Sequence, residues 1–409
     1  MDKPDGLLAT SKSSKFYTGY EVSLKPIQLI LQGMEANGWL TFLEGSGKFY
    51  LFKDNDNKTK RYGLLSLYDV NENLLQLAGY FEAAWVEVGK PPVLVSVKEA
   101  EGTRIMRKRE GRAKPKLTIT ETKKKFRQQY SKSVNGVKLL GTQWQKHPLA
   151  LPPKDNQVPR FAASATRVYH DGRLDSGGRY YSSWVGMKGN QRLLCRIDDE
   201  PVVQIDLNAS QPTLFSSLMG EHMEVGSTWT DLYQEIITSV ADFGSKDDFA
   251  TKRRKIKQAA VEVIGTGNPN KTHPSPDTKI KWQDDVSNGM LISEWSLYVS
   301  ALLHHVPALR FLKSDYMKGS GFISFSEAEI MQLTLTTLAE EGVTAYPVHD
   351  CLLVKKSDQD VAVQTYRETV RGFIISYNKS RQTKLVDITV PVSIEEAGKN
   401  KLKLEGCYH

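Results

Sequence analysis

The sequence predicts an α+β protein of more than one structural unit. Its 409 residues exceed what a typical single domain needs, so two or three units are expected. From about residue 160, short apolar runs of the β type and stretches with helical spacing follow one another along the chain. With 40% hydrophobic and 25% charged residues, the composition is that of an ordinary soluble protein.

The composition also argues against several classes of protein. No apolar run approaches the roughly 18 residues that a membrane-spanning helix needs. The N-terminal segment MDKPDGLLATSKSS lacks the apolar stretch of a secretory signal. Three scattered cysteines, Cys195, Cys351 and Cys407, are too few for a disulfide framework or a cysteine-based zinc site. We therefore expect a reducing, cytoplasmic setting.

Positive charge is concentrated in one stretch of the chain. The formal net charge is +8, yet residues 98–146 hold fifteen Lys or Arg and four Asp or Glu, a local net of +11. The rest of the chain therefore sums to −3. A basic stretch beside a near-neutral body is typical of a protein that binds a polyanion such as DNA or RNA. A solvated, partly disordered linker is the alternative.

Residues 1–95 predict a small unit with the element order of a winged helix. Ser23 is a plausible N-cap, helical spacing follows it, and Asn37-Gly38 provides a stop. The β-rich WLTFLEG and KFYLF then flank Gly45-Ser46-Gly47 as a predicted hairpin. Winged-helix units bind duplex DNA through a helix and a wing. A scaffold without DNA contact is the other interpretation.

Residues 96–160 predict a basic segment or linker that contacts nucleic acid. Residues 118–130 could form a helix, and this helix would carry the cluster Lys123, Lys124 and Lys125. Aromatic residues are sparse here, which favours phosphate contact over base stacking. Prolines near residues 148–159 mark the boundary to the third region, residues 161–409.

The third region carries the residues of chemical interest. The predicted elements are two short strands around a turn over 195–207, then helices over 209–220, 245–264, 279–312, 326–341 and 359–377, a hairpin around His349-Asp350, and a final strand over 384–394. Ser245 is the predicted cap of the second helix, followed by the acidic first-turn residues Asp247 and Asp248.

Two aspartates stand where a sheet could bring them together. Asp206 closes the apolar strand Val202-Val203-Gln204-Ile205, and Asp350 sits at the hairpin tip. If hairpin and strand share one sheet, their carboxylates meet and can hold two Mg²⁺ ions, which prefer oxygen ligands. Such a pair of ions clamps the attacking and leaving oxygens of a displacement at phosphorus. Taken singly, either aspartate is more commonly a cap or a turn former.

A third feature is a helix with cations on one face. Arg253 and Lys257 lie four residues apart, and Val261 and Gly265 continue the same face. Cations in this arrangement suit the phosphates of a bound nucleotide. A solvated basic helix is the plain alternative.

In order and spacing, these motifs resemble the palm and fingers of family-A DNA polymerases and of single-subunit phage-type RNA polymerases, over residues 165–395. The chain looks especially similar to short phage- and plasmid-borne members. The matching segments are VVQIDLNASQPTLFSSL, RRKIKQAAVEVIG and YPVHDCLLV, with GGRYYSSW, Arg192 and EAEIMQLTLTTLAEEG as less specific matches.

The resemblance implies a fold, an activity and residue roles. The fold would be an antiparallel palm sheet with packed helices, plus helical fingers. The activity would be Mg²⁺-dependent nucleotidyl transfer, with Mn²⁺ as a possible substitute, from nucleoside triphosphates to a primer on a DNA or RNA template, in the cytoplasm of a bacterial host. Asp206 and Asp350 would be the catalytic metal ligands, with the Leu207 carbonyl beside them.

The remaining roles follow from the same resemblance. Arg253, Lys257, Gln211 and Val261 would lie at the incoming nucleotide, with Gln211 where the DNA polymerases have a glutamate that screens the sugar. His349 would touch the primer end, and Arg179 and Arg192 the primer–template.

Departures from the family pattern leave the type of nucleotide open. The family's Tyr-Gly is absent, and Ile264-Gly265 is the nearest candidate. Val261 stands where an aromatic residue usually stacks on the base, and Cys351 replaces the acidic residue of the DNA polymerases. Deoxy- and ribonucleotides, and synthesis without a template, therefore remain alternatives.

Two other classes compete with a polymerase. One is a DNA-binding replication protein that has lost catalysis and keeps the palm as a scaffold. The other is a histidine–aspartate phosphohydrolase, suggested by His304-His305 and His349-Asp350. That class carries its His-Asp pair on a helix, whereas the β-branched surroundings and Pro347 argue for a hairpin here.

Overall fold

The structure is a computed structural model in which the chain divides into two compact units. One unit comprises Met1–Pro92 with Val158–Phe161, and the other Val93–Gln157 with Ala162–His409. The predicted division at residues 95 and 160 stays a prediction. The residues that the structure describes are 7–11, 24–36, 40–45, 50–53, 59–62, 65–70, 94–99, 116–152, 160–223, 231–239, 248–276, 278, 292–313, 319–385, 390–399 and 401–404.

Between residues 1 and 92, the described residues form one helix and five strands. They are β1 (Leu7–Ser11), α1 (Leu24–Ala36), β2 (Leu40–Gly45), β3 (Tyr50–Lys53), β4 (Thr59–Tyr62) and β5 (Leu65–Val70). The predicted helix is present, but the predicted pairing of β2 with β3 is wrong, because β2 pairs with β5 and β3 pairs with β4. Alternating patterns specify a strand without specifying its partner. Ser23 and the turn residues Ser46-Gly47 lie outside the described residues, and the winged-helix assignment stays a prediction.

The second unit contains a small sheet and a larger central sheet. In the small sheet, β9 (Thr166–Tyr169) lies between β6 (Val95–Val97), which is parallel to it, and β10 (Gly177–Tyr181), which is antiparallel. The other strands are β7 (Leu149–Leu151), β11 (Arg196–Ile197), β12 (Glu200–Leu207), β13 (Ala345–Val348), β14 (Cys351–Lys355), β15 (Val392–Glu395) and β16 (Leu402–Leu404). Strand β8 (Arg160–Ala162) falls on the division between the two units.

Strand β12 is at the centre of the central sheet. The order runs β13-β14-β12-β11-β7, and β15 pairs with both the second half of β12 and β16. The two strands around the turn at residues 198–199 and the hairpin of β13 with β14 confirm the sequence predictions. The strand predicted as the last one corresponds to β15, which begins at Val392. The later strand β16 was not predicted.

Helices cover the sheets and enclose the core. They are α2 (Ile119–Lys125), α3 (Arg127–Lys146), α4 (Gly189–Arg192), α5 (Ser210–Met219), α6 (Leu232–Ser239), α7 (Phe249–Thr266), α8 (Ile292–His305), α9 (Ser320–Glu340) and α10 (Gln359–Arg381), with 3₁₀ turns at Pro307–Phe311 and Lys356–Asp358. Helix α9 packs against α3, α5, α10 and β10, and α10 packs against α5 and β12. A mixed α+β architecture with antiparallel sheets and packed helices is thus confirmed.

Several helices begin or end at residues other than the predicted ones. Helix α7 begins at Phe249 because Asp248, not Ser245, is its N-cap and accepts the Thr251 amide at 2.7 Å. Ser245 lies outside the described residues. The helix predicted over 118–130 breaks at Phe126 and continues to Lys146, because Val137, Leu140 and Trp144 bury its inner face. Within the described residues, no helix is long and apolar enough to cross a membrane.

Candidate active site

Strand pairing brings the two aspartates together. In the register of β12 with β14, Asp206 lies opposite Cys351, which directly follows Asp350. The carboxylate oxygens of both aspartates and the Cys351 Sγ offer one ligand atom each, and these atoms lie within 4.8 Å of one another. Among the described residues, this group of potential metal ligands contains no histidine. The hairpin position of His349-Asp350 is at odds with the phosphohydrolase alternative, whose His-Asp pair lies on a helix.

The hairpin tip is fixed from three directions. The Tyr366 hydroxyl donates to the Asp350 carbonyl at 2.7 Å. The Trp184 indole donates to the Pro347 carbonyl at 2.8 Å, and the Trp144 indole to the Ala345 carbonyl at 2.9 Å. His349 occupies the two-residue turn with φ of 59°, a conformation that glycine usually supplies. A strained turn held by buried hydrogen bonds keeps Asp350 in one place.

The acidic centre strongly attracts a cation. Burial, Glu327 and Asp206 raise the pKa of Asp350 well above its usual range, because each disfavours a negative charge there. The ammonium of Lys401 lies 3.0 Å from Asp206 Oδ2 and 2.8 Å from Glu395 Oε1. Lys401 thus already supplies a positive charge at the carboxylate that a metal ion would use.

The chemistry of the donor atoms suits Mg²⁺ or Mn²⁺. The Cys351 thiol donates to Asp206 Oδ1 at 3.1 Å. Burial and the two aspartates raise the pKa of this thiol well above its usual range, so it stays protonated and acts as a donor. The ligands that remain are carboxylate oxygens, which hard divalent cations prefer.

Both aspartates line a cleft of about 530 Å³. The cleft brings together most of the residues that the resemblance singled out, and also Asp231, Tyr233 and Lys401. The sequence-derived site residues in its lining are Arg179, Asp206, Leu207, Gln211, Arg253, Lys257, Val261 and Asp350.

Helix α7 forms the cationic wall of the cleft. It buries Ile256, Ala260 and Val263 and turns the opposite face outward. On that face, Arg253 forms an ion pair with Asp231 at 2.7 Å, and Lys257 is exposed. Val261 leaves 58% of its surface exposed and offers an apolar contact in the same wall.

A glycine-dependent bulge positions Arg179 at the acidic wall. The register of β10 with β9 shifts between Gly177 and Arg179, and Gly178 has φ of 85°. A Cβ on Gly178 would come within 2.8 Å of the Tyr169 ring, so only glycine fits this position. Arg179 forms an ion pair with Glu327, which is 5% exposed.

The other predicted contacts lie away from the cleft lining. The Arg192 guanidinium bonds inward, to the Met187 carbonyl at 2.5 Å and to Gln204 at 3.3 Å. His349 meets the Tyr181 ring edge-on at 5.8 Å. The lysines 123–125 are exposed in the last turn of α2.

Three charged residues of the site were missed by the sequence analysis. Glu327 contacts Arg179, Ser210 and Gln211 from the middle of α9. Asp231 precedes α6, and Lys401 follows the last predicted strand. The acidic pair Glu327 and Glu329 stands in a helix that also holds serine, threonine and glutamine residues, so it gives a weak signal, and nothing in the pattern points to Lys401.

Comparisons with known proteins give structural likenesses and no sequence match. No family model matches the sequence, and no curated protein sequence matches it. The chain is similar to a solved structure described as the POL domain of Pol1 from M. smegmatis in complex with DNA primer-template and dNTP. The identity is 10%, the match covers 80% of this chain and 60% of that chain, and the TM-score is 0.32. A likeness at this level establishes neither fold nor activity, so any functional assignment depends on the geometry of the cleft.

Proposed function

We propose that the protein is a nucleic-acid polymerase. It would transfer a nucleotidyl group from a nucleoside triphosphate to a primer 3′ end on a nucleic-acid template. The observation that carries the proposal is the cleft itself, in which Asp206 and Asp350 stand on one wall and Arg253 and Lys257 on another. Acids that bind divalent cations, set across from cations that bind phosphates, are what nucleotidyl transfer requires.

The acidic wall suits two divalent cations. Asp206 and Asp350 would hold them, with the backbone carbonyl of Leu207 as an added oxygen ligand. When bound, two Mg²⁺ ions stabilise the attacking and leaving oxygens at the reacting phosphorus. Because the sheet and Tyr366 fix both aspartates in advance, little reorganisation is needed when substrate arrives.

The cationic wall suits a triphosphate. Lys257 is exposed in the cleft and Arg253 is only half-buried, so both can reach phosphate oxygens. Gln211 and Val261 would meet the sugar and base of the incoming nucleotide. Arg179, Arg192 and His349 would contact the primer–template. The lysines 123–125 would contact the phosphate backbone further away.

The resemblance to short phage- and plasmid-borne polymerases leads us to propose DNA synthesis in the replication of such an element in a bacterial cytoplasm. RNA synthesis, or primase-type synthesis, is the alternative that the departures at Val261 and Cys351 leave open. The same assay separates these possibilities through the nucleotide supplied.

Primer extension tests the proposal. A primed template with Mg²⁺ and either dNTPs or rNTPs is expected to be extended by the wild-type chain. Asp206→Ala and Asp350→Ala should each abolish extension, at least a thousandfold, while the exposed Asp360→Ala retains it. No extension with any nucleotide, together with tight DNA binding, would support the catalytically silent alternative. Extension that needs no template would support an untemplated transferase.

A further inference from the structure

Two arginine–glutamate pairs connect the small sheet to helix α9. Arg179 on β10 pairs with Glu327, and Arg167 on β9 pairs with Glu329 at 2.9 Å. Both pairs therefore join the same small sheet to the same helix, and their glutamates are two residues apart along α9. They differ in their surroundings, because Arg179 lines the cleft beside Asp350 whereas Arg167 also donates to the Gly178 carbonyl and is 2% exposed.

Both carboxylate oxygens of Glu327 accept hydrogen bonds from protein groups. One carboxylate oxygen accepts from the Ser210 hydroxyl, and the other accepts from Arg179 and, at 3.4 Å, from the Gln211 amide. Among the described residues, the group of potential ligand atoms at the acidic wall consists of Asp206, Asp350 and Cys351 and leaves Glu327 out. Since Glu327 lies outside that group, we expect it to affect a bound cation through its charge and its partners.

Arg179 is the partner through which that charge acts. Arg179 and Asp350 line the same cleft, so the positive charge of the guanidinium acts on that carboxylate. The Arg179 Nε is buried and has no hydrogen-bond partner among the described residues. An uncompensated guanidinium at this position would serve Asp350 as a counter-ion and would compete with a divalent cation.

We propose that Glu327 is a positioning residue that neutralises Arg179 and so leaves the negative charge of Asp206 and Asp350 available to a divalent cation. The inference rests on the proposed function, since it concerns the same metal site. The pair Arg179–Glu327 carries no net charge, and removal of one member leaves a net charge of one sign. The sign of the change in metal affinity therefore depends on which member is removed.

Direct binding of Mn²⁺, without nucleotide or primer, tests the inference. Free Mn²⁺ is counted by its electron paramagnetic resonance signal during titration of the full chain. Glu327→Gln should weaken Mn²⁺ binding about tenfold, and Arg179→Gln should tighten it several-fold. The double variant removes both charges and should bind Mn²⁺ within about twofold of wild type. Glu329→Gln is the matched control and should also stay within about twofold.

Each outcome has one interpretation. A double variant that stays as weak as Glu327→Gln would mean that Glu327 acts as a ligand, and would overturn the proposal. Equal losses in Glu327→Gln and Glu329→Gln would mean a merely structural role, and would overturn it as well. Because a single unpaired buried charge can prevent folding, circular dichroism is recorded for each variant, and the charge-neutral double variant then decides between neutralisation and ligation.

The failure of the proposed function would look different. Two results would contradict the metal site itself, and with it the inference. One is wild-type protein that binds no Mn²⁺, and the other is Mn²⁺ binding that persists in Asp206→Ala and Asp350→Ala. Mn²⁺ binding that both aspartate variants abolish, but that Glu327→Gln and Arg179→Gln leave unchanged, would overturn only the role of Glu327.

Discussion

The acidic and cationic walls of the cleft are held in different ways. Asp206 lies in a strand that is paired on both sides, opposite Cys351 and Ser393, and its neighbour Ile205 is fully buried. By contrast, Lys257 projects from the outer face of α7 and is exposed, and Arg253 has Asp231 as its ion-pair partner. The acids are placed by backbone pairing, whereas the cations depend on long side chains.

This difference has a chemical consequence. Groups that must meet metal ions at fixed distances benefit from a rigid backbone, because misplacement by about 1 Å costs a large part of the rate. Groups that bind a triphosphate can follow it with flexible side chains. Substitutions on the acidic wall should therefore change turnover, and substitutions on the cationic wall should change mainly the affinity for nucleotide.

The largest effect short of losing an aspartate should come from the cationic wall. The double variant Arg253→Ala and Lys257→Ala is expected to lower kcat/KM for the nucleotide by roughly 100- to 1,000-fold, mostly through KM, because two contacts to the phosphates are lost. Steady-state primer extension at varied nucleotide concentration measures it. Arg254→Ala is the control, since Arg254 is exposed on the same helix outside the cleft lining. A loss that falls on kcat alone would contradict the division between the walls.

The rigid wall was the part that could be predicted from sequence. An apolar run ends in Asp206, and Asp350 stands between two apolar runs, so both positions read as strand ends, and strand register then brings the two residues together. The cap of α7 was not predictable in the same way. Ser245 and Asp248 are both competent caps three residues apart, and burial of Ile256 and Val263 decides where the helix begins.

The residues that complete the site could not be predicted, for a physical reason. Helix α9 is buried on several sides and mixes polar with apolar residues, so its sequence does not show which polar residue faces the site. The partners of Glu327, Arg179 and Ser210, are 148 and 117 residues away from it in the chain. Lys401 reaches Asp206 only because β16 pairs with β15 at the edge of the sheet.

The exposed lysines of α2 extend the comparison to nucleic-acid binding. Replacement of Lys123, Lys124 and Lys125 by Gln is expected to weaken DNA binding about 10- to 100-fold at low salt. It should also reduce the slope of log affinity against log salt concentration by about two to three, because fewer counterions are released. Fluorescence anisotropy over a range of salt concentrations measures both values. As a control, Lys379→Gln with Arg381→Gln removes cations from the last turn of α10. If this control changes the slope equally, the α2 lysines make no specific contact with DNA.

Two buried tryptophans offer a matched test of the rigid wall. Trp184 donates to the Pro347 carbonyl and Trp295 to the Lys271 carbonyl, each at 2.8 Å and each with no exposed surface. Either Trp→Phe change should lower the free energy of unfolding by about 1–3 kcal/mol, because a buried carbonyl loses its donor. Only Trp184→Phe should also lower turnover, by roughly fivefold, since its partner lies three residues before Asp350. Urea denaturation and kcat are measured for both, and equal turnover losses would mean that the hairpin has no special need for rigidity.

Lys401 is the exception to the comparison, because it places a flexible cation on the acidic wall. Its ammonium contacts Asp206 and Glu395, so a metal ion at Asp206 must displace or outcompete it. Lys401→Gln should lower the half-saturating Mg²⁺ concentration about threefold, a modest effect because the pair is partly exposed. Lys399→Gln controls for the loss of charge, since Lys399 pairs with Glu396 in the same segment. If Lys401→Gln instead raises KM for the nucleotide and leaves the Mg²⁺ dependence unchanged, Lys401 belongs functionally with Arg253 and Lys257, and both walls of the cleft bind phosphate.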